Sequence, residues 1–133
     1  MSNPHIGVKD GRLAACPQSP NCVSTQAEDE SKQMSPLPFH GGLNETKKLV
    51  KELIHQMDRT SLEDDSENYL HVIVTSKILK FKDDVEFYFD ETGQVVHFRS
   101  ASRTGYSDFG VNRKRMESFS ESYDRARAKG GQS

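Results

Sequence analysis

The chain has 133 residues, 33% hydrophobic and 29% charged, with a net charge of −2 and two cysteines. That length suits one domain with a single core, able to bury about two-thirds of its unfolded surface without a metal or a disulfide framework. No apolar run approaches the ~18 residues of a membrane span, and the start MSNPHIGVKDGRLAAC lacks the apolar segment of a secretory signal. The chain as written therefore reads as soluble and cytoplasmic, or as periplasmic or plastid-lumenal if an N-terminal signal has been removed. Charge is unevenly placed: from Arg99 to Ser133 there are eight Lys/Arg against four Asp/Glu, and the rest of the chain is acidic. No motif and no basic-aromatic interleaving goes with this asymmetry, so no nucleic-acid partner is expected.

In chain order, residues 1–43 are proline-rich and show little periodic apolar pattern, predicting an arm with turns that Leu37 and Phe39 anchor on the body. A helix follows. Asn44 stands as its N-cap, and Thr46, Leu49, Val50, Leu53, Ile54 and Met57 recur at three- and four-residue steps, carrying it to about Met57. The acidic stretch SLEDDSEN then reads as a solvated link. Three segments with β-branched and aromatic residues and period-two alternation predict strands: YLHVIVTS (69–76), FKDDVEFYFD (81–90) and QVVHFRSAS (94–102). The joint DETG makes the last two a hairpin. In the register that pairs Val72 with Val85 and Phe87 with Phe98, all strongly apolar positions share one face. Gly105 and Gly110 punctuate the next stretch, where Ser107 or Asp108 can cap a second helix whose apolar stripe is Met116, Phe119 and Tyr123. Residues 126–133 read as a flexible tail.

The same register fills the opposite sheet face with polar groups. His71, Glu86 and Arg99 form one row across the three strands, and Tyr69, Tyr88 and His97 form the next. The plainer reading is cross-strand pairing on a wet face, each pair contributing a few tenths to about 1 kcal/mol. The functional reading is a surface that binds an anionic or polar ligand, or exchanges protons near neutral pH. No metal is expected, because Arg99 repels one and no histidine spacing resembles a metal site. In the second helix, extending the apolar stripe backward places Asn112 toward the core, where an amide needs partners. It reads first as a polar lock between helix start and sheet, and second as part of an anion site formed by the helix N-terminus with Arg103 and Arg113. GVNRKR lacks the glycine spacing of a phosphate loop.

Three segments in order, CPQSPNCVSTQA, DDVEFYFDE and VVHFRSASRTGYSDFGVNRKRME, resemble the bacterial and plastid family catalogued as domain of unknown function 1499. The resemblance runs from about Gly7 to Phe119. It implies a fold and motif boundaries but no reaction, cofactor or catalytic residues. Members of that family often carry an export signal or membrane anchor, which sets the resemblance against a cytoplasmic location. Two thiols alone cannot fill a zinc site, and five residues between them is not redox-pair spacing. Pro17 and Pro20 bend the loop enough for a Cys16–Cys22 disulfide, which adds about 2 kcal/mol by chain entropy in an oxidising compartment. A disulfide staple ranks ahead of free structural thiols, with metal or redox chemistry last.

The expected architecture is α+β: a three-stranded antiparallel meander in residues 44–125, with a helix before and a helix after packed on one face. The arm is part of the same domain and is available as a fourth, edge strand. The expected function is a non-catalytic module that binds a small polar or anionic ligand, or a protein partner, without a cofactor. Its candidate residues are His71, Glu86, Tyr88, His97, Arg99, Arg103, Asn112 and Arg113. One alternative is a small enzyme using His71, Glu86 and His97 as general acid–base groups. Another is a structural or interaction protein at an envelope or thylakoid surface.

Overall fold

The computed structural model of the chain describes residues 6–18, 20–103 and 110–130. The arm opens with a small hairpin, β1 (Val8–Lys9) and β2 (Arg12–Leu13). Its two-residue turn is Asp10–Gly11, both at positive φ (54° and 75°), a turn whose twist matches that of the flanking strands and for which Asp-Gly is favoured. The chain then passes through a Cys16–Cys22 disulfide with Cα atoms 5.7 Å apart. Beyond it come β3 (Cys22–Ser24), a 3-10 turn at Glu30–Lys32 and β4 (Leu37–Pro38).

Helix α1 spans Leu43–His55, starting one residue before the expected cap. Gly42 stands at the cap position and has no side chain to offer, and Thr46 compensates: its hydroxyl accepts the His40 N–H (2.9 Å) and donates to the Gly42 carbonyl (2.8 Å). Strands β5 (Thr60–Ser66), β6 (Tyr69–Thr75), β7 (Lys82–Asp90) and β8 (Val95–Ser102) follow, then α2 (Val111–Gly130). The main sheet has the order β3-β8-β7-β6-β5, with β4 also paired to β8, and its ladders are antiparallel.

The register of the central strands is the expected one: Val72 pairs with Val85, His71 with Glu86, Glu86 with Arg99 and Phe87 with Phe98. The α+β class holds, but the sheet has six strands rather than three or four. SLEDDS is a strand and not a solvated link. Its side chains are exposed apart from the partly covered Thr60, and backbone pairing to β6 holds it, with a bulge between Leu62 and Asp64. An edge strand loaded with carboxylates resists pairing with other chains, which is why it carries no apolar alternation to read. The segment expected as a tail from Ala126 continues α2 to Gly130. The caps expected at Ser107 or Asp108 lie outside the described residues.

Both helices lie on one sheet face. Val50, Leu53 and Ile54 of α1 and Met116, Phe119 and Tyr123 of α2 cluster with Leu70, Val72, Val85, Phe87, Phe89, Val96 and Phe98 of the strands. Burial raises the Tyr123 phenol to about 12, and its hydroxyl donates to the Pro38 carbonyl at 2.6 Å, tying α2 to β4. The opposite face is covered by the arm.

Candidate functional site

Alternation along β6, β7 and β8 sends Tyr69, His71, Asp84, Glu86, Tyr88, His97 and Arg99 to the arm side of the sheet. That side is not open to water at its centre. Glu86 is 0% exposed, Arg99 3% and His71 7%. The β1–β2 hairpin lies over them: the Gly7 N–H donates to Glu86 Oε1 (2.6 Å), and Leu13 is buried. Gln26 fastens the hairpin as a surrogate strand, accepting the Leu13 N–H (2.8 Å) and donating to the Gly11 carbonyl (3.0 Å).

Two linked clusters result. Glu86 lies between His71 and Arg99 in register, but its carboxylate is held by the Tyr69 hydroxyl (2.7 Å), Arg99 Nη1 (3.2 Å) and Gly7. Burial and the Glu86 charge push the Tyr69 phenol well above its usual range. His71 turns instead to Asp84, with Nε2 donating to Oδ1 at 2.7 Å, and Arg103 grips the same carboxylate through Nε and Nη2, each at 3.0 Å. Burial alone would raise the Asp84 pKa, but the His71 and Arg103 bonds outweigh it and lower it to about 2. Asp84 was not among the expected site residues. The diagonal reach from His71 to a residue two positions from its direct partner was the signal available for it.

Tyr88 and His97 are half-buried beside this layer, their rings stacked at 6.3 Å between centroids. His97 Nδ1 meets Thr25 Oγ1 at 2.9 Å, and burial lowers its pKa below the usual histidine value. Arg99 Nη2 donates to the Ala15 carbonyl (3.3 Å), while its Nε is buried without an acceptor among the described residues.

Asn112 is fully buried on the other, helix-side face. Its amide donates to the Ser102 hydroxyl (3.0 Å) and the Asn21 carbonyl (3.2 Å), and its oxygen accepts from the Ser100 hydroxyl and from Arg115 Nη1 (2.8 Å). Arg115 in turn pairs with Asp83 at 2.7 Å. The Asn112 bonds join the helix start to β8 and to Asn21, as a lock between helix and sheet requires, while residues 104–109 lie outside the described residues. Arg113 donates to the Ser31 carbonyl (2.8 Å), clasping α2 to the 3-10 turn. Arg103 and Arg113 thus serve different anchors and do not converge on one anion.

A cavity of about 560 Å³ opens between the hairpin and the disulfide loop, bordered by Arg12, Ala15, Cys16, Ser24, Gln26 and Lys32, with the carboxylates of Glu28 and Asp29 also in its wall. Its size is within the range of small-molecule sites. None of these residues was a candidate apart from the disulfide cysteine. The arm lacks periodicity, so its folding back on the sheet was not readable from pattern. Among the described residues no group of three His, Cys, Asp or Glu side chains is placed to hold a metal ion.

The family model described as protein of unknown function (DUF1499) matches residues 12–122. The chain belongs to this family. No curated protein and no solved structure matches it. The DUF1499 match begins at β2 and ends within α2, so it takes in the disulfide, the charge layer and the Asn112 lock. Gly7, which caps Glu86, falls just outside it. No helix among the described residues is long and apolar enough to cross a membrane.

Proposed function

We propose that this DUF1499 chain is a non-catalytic module that binds a small polar or anionic ligand in the cavity between the hairpin and the disulfide loop. The observation that carries this reading is the polar wall of the cavity. Arg12 and Lys32 border it, and behind Ala15 the Arg99 Nε is buried without an acceptor among the described residues. Arg99 is paired with Glu86, so Arg12 and Lys32 stand against Glu28 and Asp29 in a balanced wall that offers both donors and acceptors to a polar ligand. The interior of the charge layer supports a scaffold role over an acid–base one, because Glu86 and His71 are buried and already bonded to protein partners. The Cys16–Cys22 disulfide supports an oxidising compartment, such as a periplasm or plastid lumen.

Isothermal titration with orthophosphate and with succinate tests the reading directly. Binding of either probe that weakens at least about tenfold in Arg12→Ala, a loss of about 1.4 kcal/mol, is the expected result. Absence of binding by both probes, together with no small molecule detected by mass spectrometry in protein purified from its own source, removes the ligand site.

A further inference from the structure

The turn joining β6 to β7 reads SKILKFK, Ser76 to Lys82, and every residue of it is exposed. Ile78 is 84% exposed, Leu79 66% and Phe81 53%. Single exposed apolar residues are ordinary, but three within four consecutive positions make a patch. The patch has a fixed shape. Ser76 N–H donates to the Phe81 carbonyl (2.8 Å), Phe81 N–H donates to the Ser76 hydroxyl (2.9 Å), and Lys80 takes the left-handed conformation that closes the tip. Lys77, Lys80 and Lys82 frame it and form no ion pair among the described residues, and the segment holds no Asp or Glu. Arg59, bonded to the Thr75 carbonyl, adds a cation at the neck, with exposed Asp58 beside it in sequence. The next carboxylates along β7, Asp83 and Asp84, are buried and paired with Arg115 and Arg103.

We propose that this tip docks the protein on an anionic lipid surface, with Ile78, Leu79 and Phe81 entering the interface and the three lysines meeting lipid phosphates. Charge complementarity selects that occupant. A second copy seated on the same patch would set lysines against lysines, whereas an anionic bilayer satisfies both the apolar and the basic part. The chain as a whole carries a charge of −2, so approach must occur through a local basic spot, and this one is coupled to apolar anchors.

The test uses the full chain and sedimentation with vesicles of phosphatidylcholine alone or mixed with phosphatidylglycerol. Binding is expected only to the mixed vesicles and should fall with added salt. The triple substitution Lys77→Gln, Lys80→Gln, Lys82→Gln should weaken it about a hundredfold, at about fivefold per lysine. Ile78→Ser with Leu79→Ser should weaken it at least about tenfold from lost apolar burial. Because these side chains are exposed, thermal melts of the variants should match the parent. The chain contains no tryptophan, so Leu79→Trp gives a clean reporter whose emission should shift to the blue on mixed vesicles. The proposal is overturned by failure to bind mixed vesicles, or by binding that survives both sets of substitutions. A dimer in the ultracentrifuge that the same substitutions dissolve, without vesicle binding, would also overturn it.

Discussion

Asp84 shows how a buried carboxylate ties folding to pH. With a pKa lowered from 3.8 to about 2, it is ionised in the fold at pH values where the unfolded chain already takes up its proton. The sign follows: its contribution is complete above about pH 4 and is lost as pH falls toward 2, amounting to about 2 kcal/mol. Urea melts of the parent and of Asp84→Asn at pH 7, 4, 3 and 2 check this. The stability gap between the two proteins should shrink through that window, and a gap constant across it rules the coupling out. Asn112 is a neutral counterpart on the opposite face. Its amide joins Ser100, Ser102, Asn21 and Arg115 in a dry place. Asn112→Leu leaves those donors and acceptors unmatched and should cost about 1 to 3 kcal/mol. A variant that melts with the parent would show that water replaces the amide without loss.

Among the elements, those with apolar alternation were legible in the sequence and those without it were not. Strands β6, β7 and β8 bury Val72, Val85, Phe87 and Phe98 on one face, which fixes their register to the residue. Strand β5 has no such face: β6 supplies its backbone hydrogen bonds, and among its exposed side chains Asp65 pairs with Lys47 and Lys51 of α1. The hairpin β1–β2 did carry a local signal, the Asp-Gly pair, but its strands of two residues are too short for periodicity to confirm it. The polar rows were likewise legible as rows. Their burial was not, because it depends on the arm crossing back over the sheet, a long-range placement that turn residues do not encode. The disulfide fixes one end of that crossing. Replacing Cys16 and Cys22 together by serine should lower stability by about 2 kcal/mol through the freed loop. Equal denaturant midpoints for the two proteins would mean that the unfolded chain gains no freedom when the cross-link is removed.

For the whole molecule, the sheet is a wall with unlike coverings. On one side two helices seal it with a continuous cluster of aliphatic and aromatic side chains; on the other a thin arm seals it, burying Leu13 over charged groups. Apolar burial scales with area, so the helix side should hold until global unfolding while the arm side opens at lower cost. Opening exposes Glu86, Arg99 and His71 to water, which solvates them and lowers the cost further. Native-state hydrogen exchange separates the two sides. The amides of Gly7 and Leu13, bonded to Glu86 and Gln26, should exchange through a local opening, well before those of Leu70, Phe87 and Phe98 in the central strands. The serine replacement of both cysteines should speed the arm amides while leaving the central strands tied to the global stability. Equal protection on both sides would instead show that the charge layer is part of the same cooperative unit as the core, and that the cavity beside Ala15 cannot admit a ligand by lifting the arm.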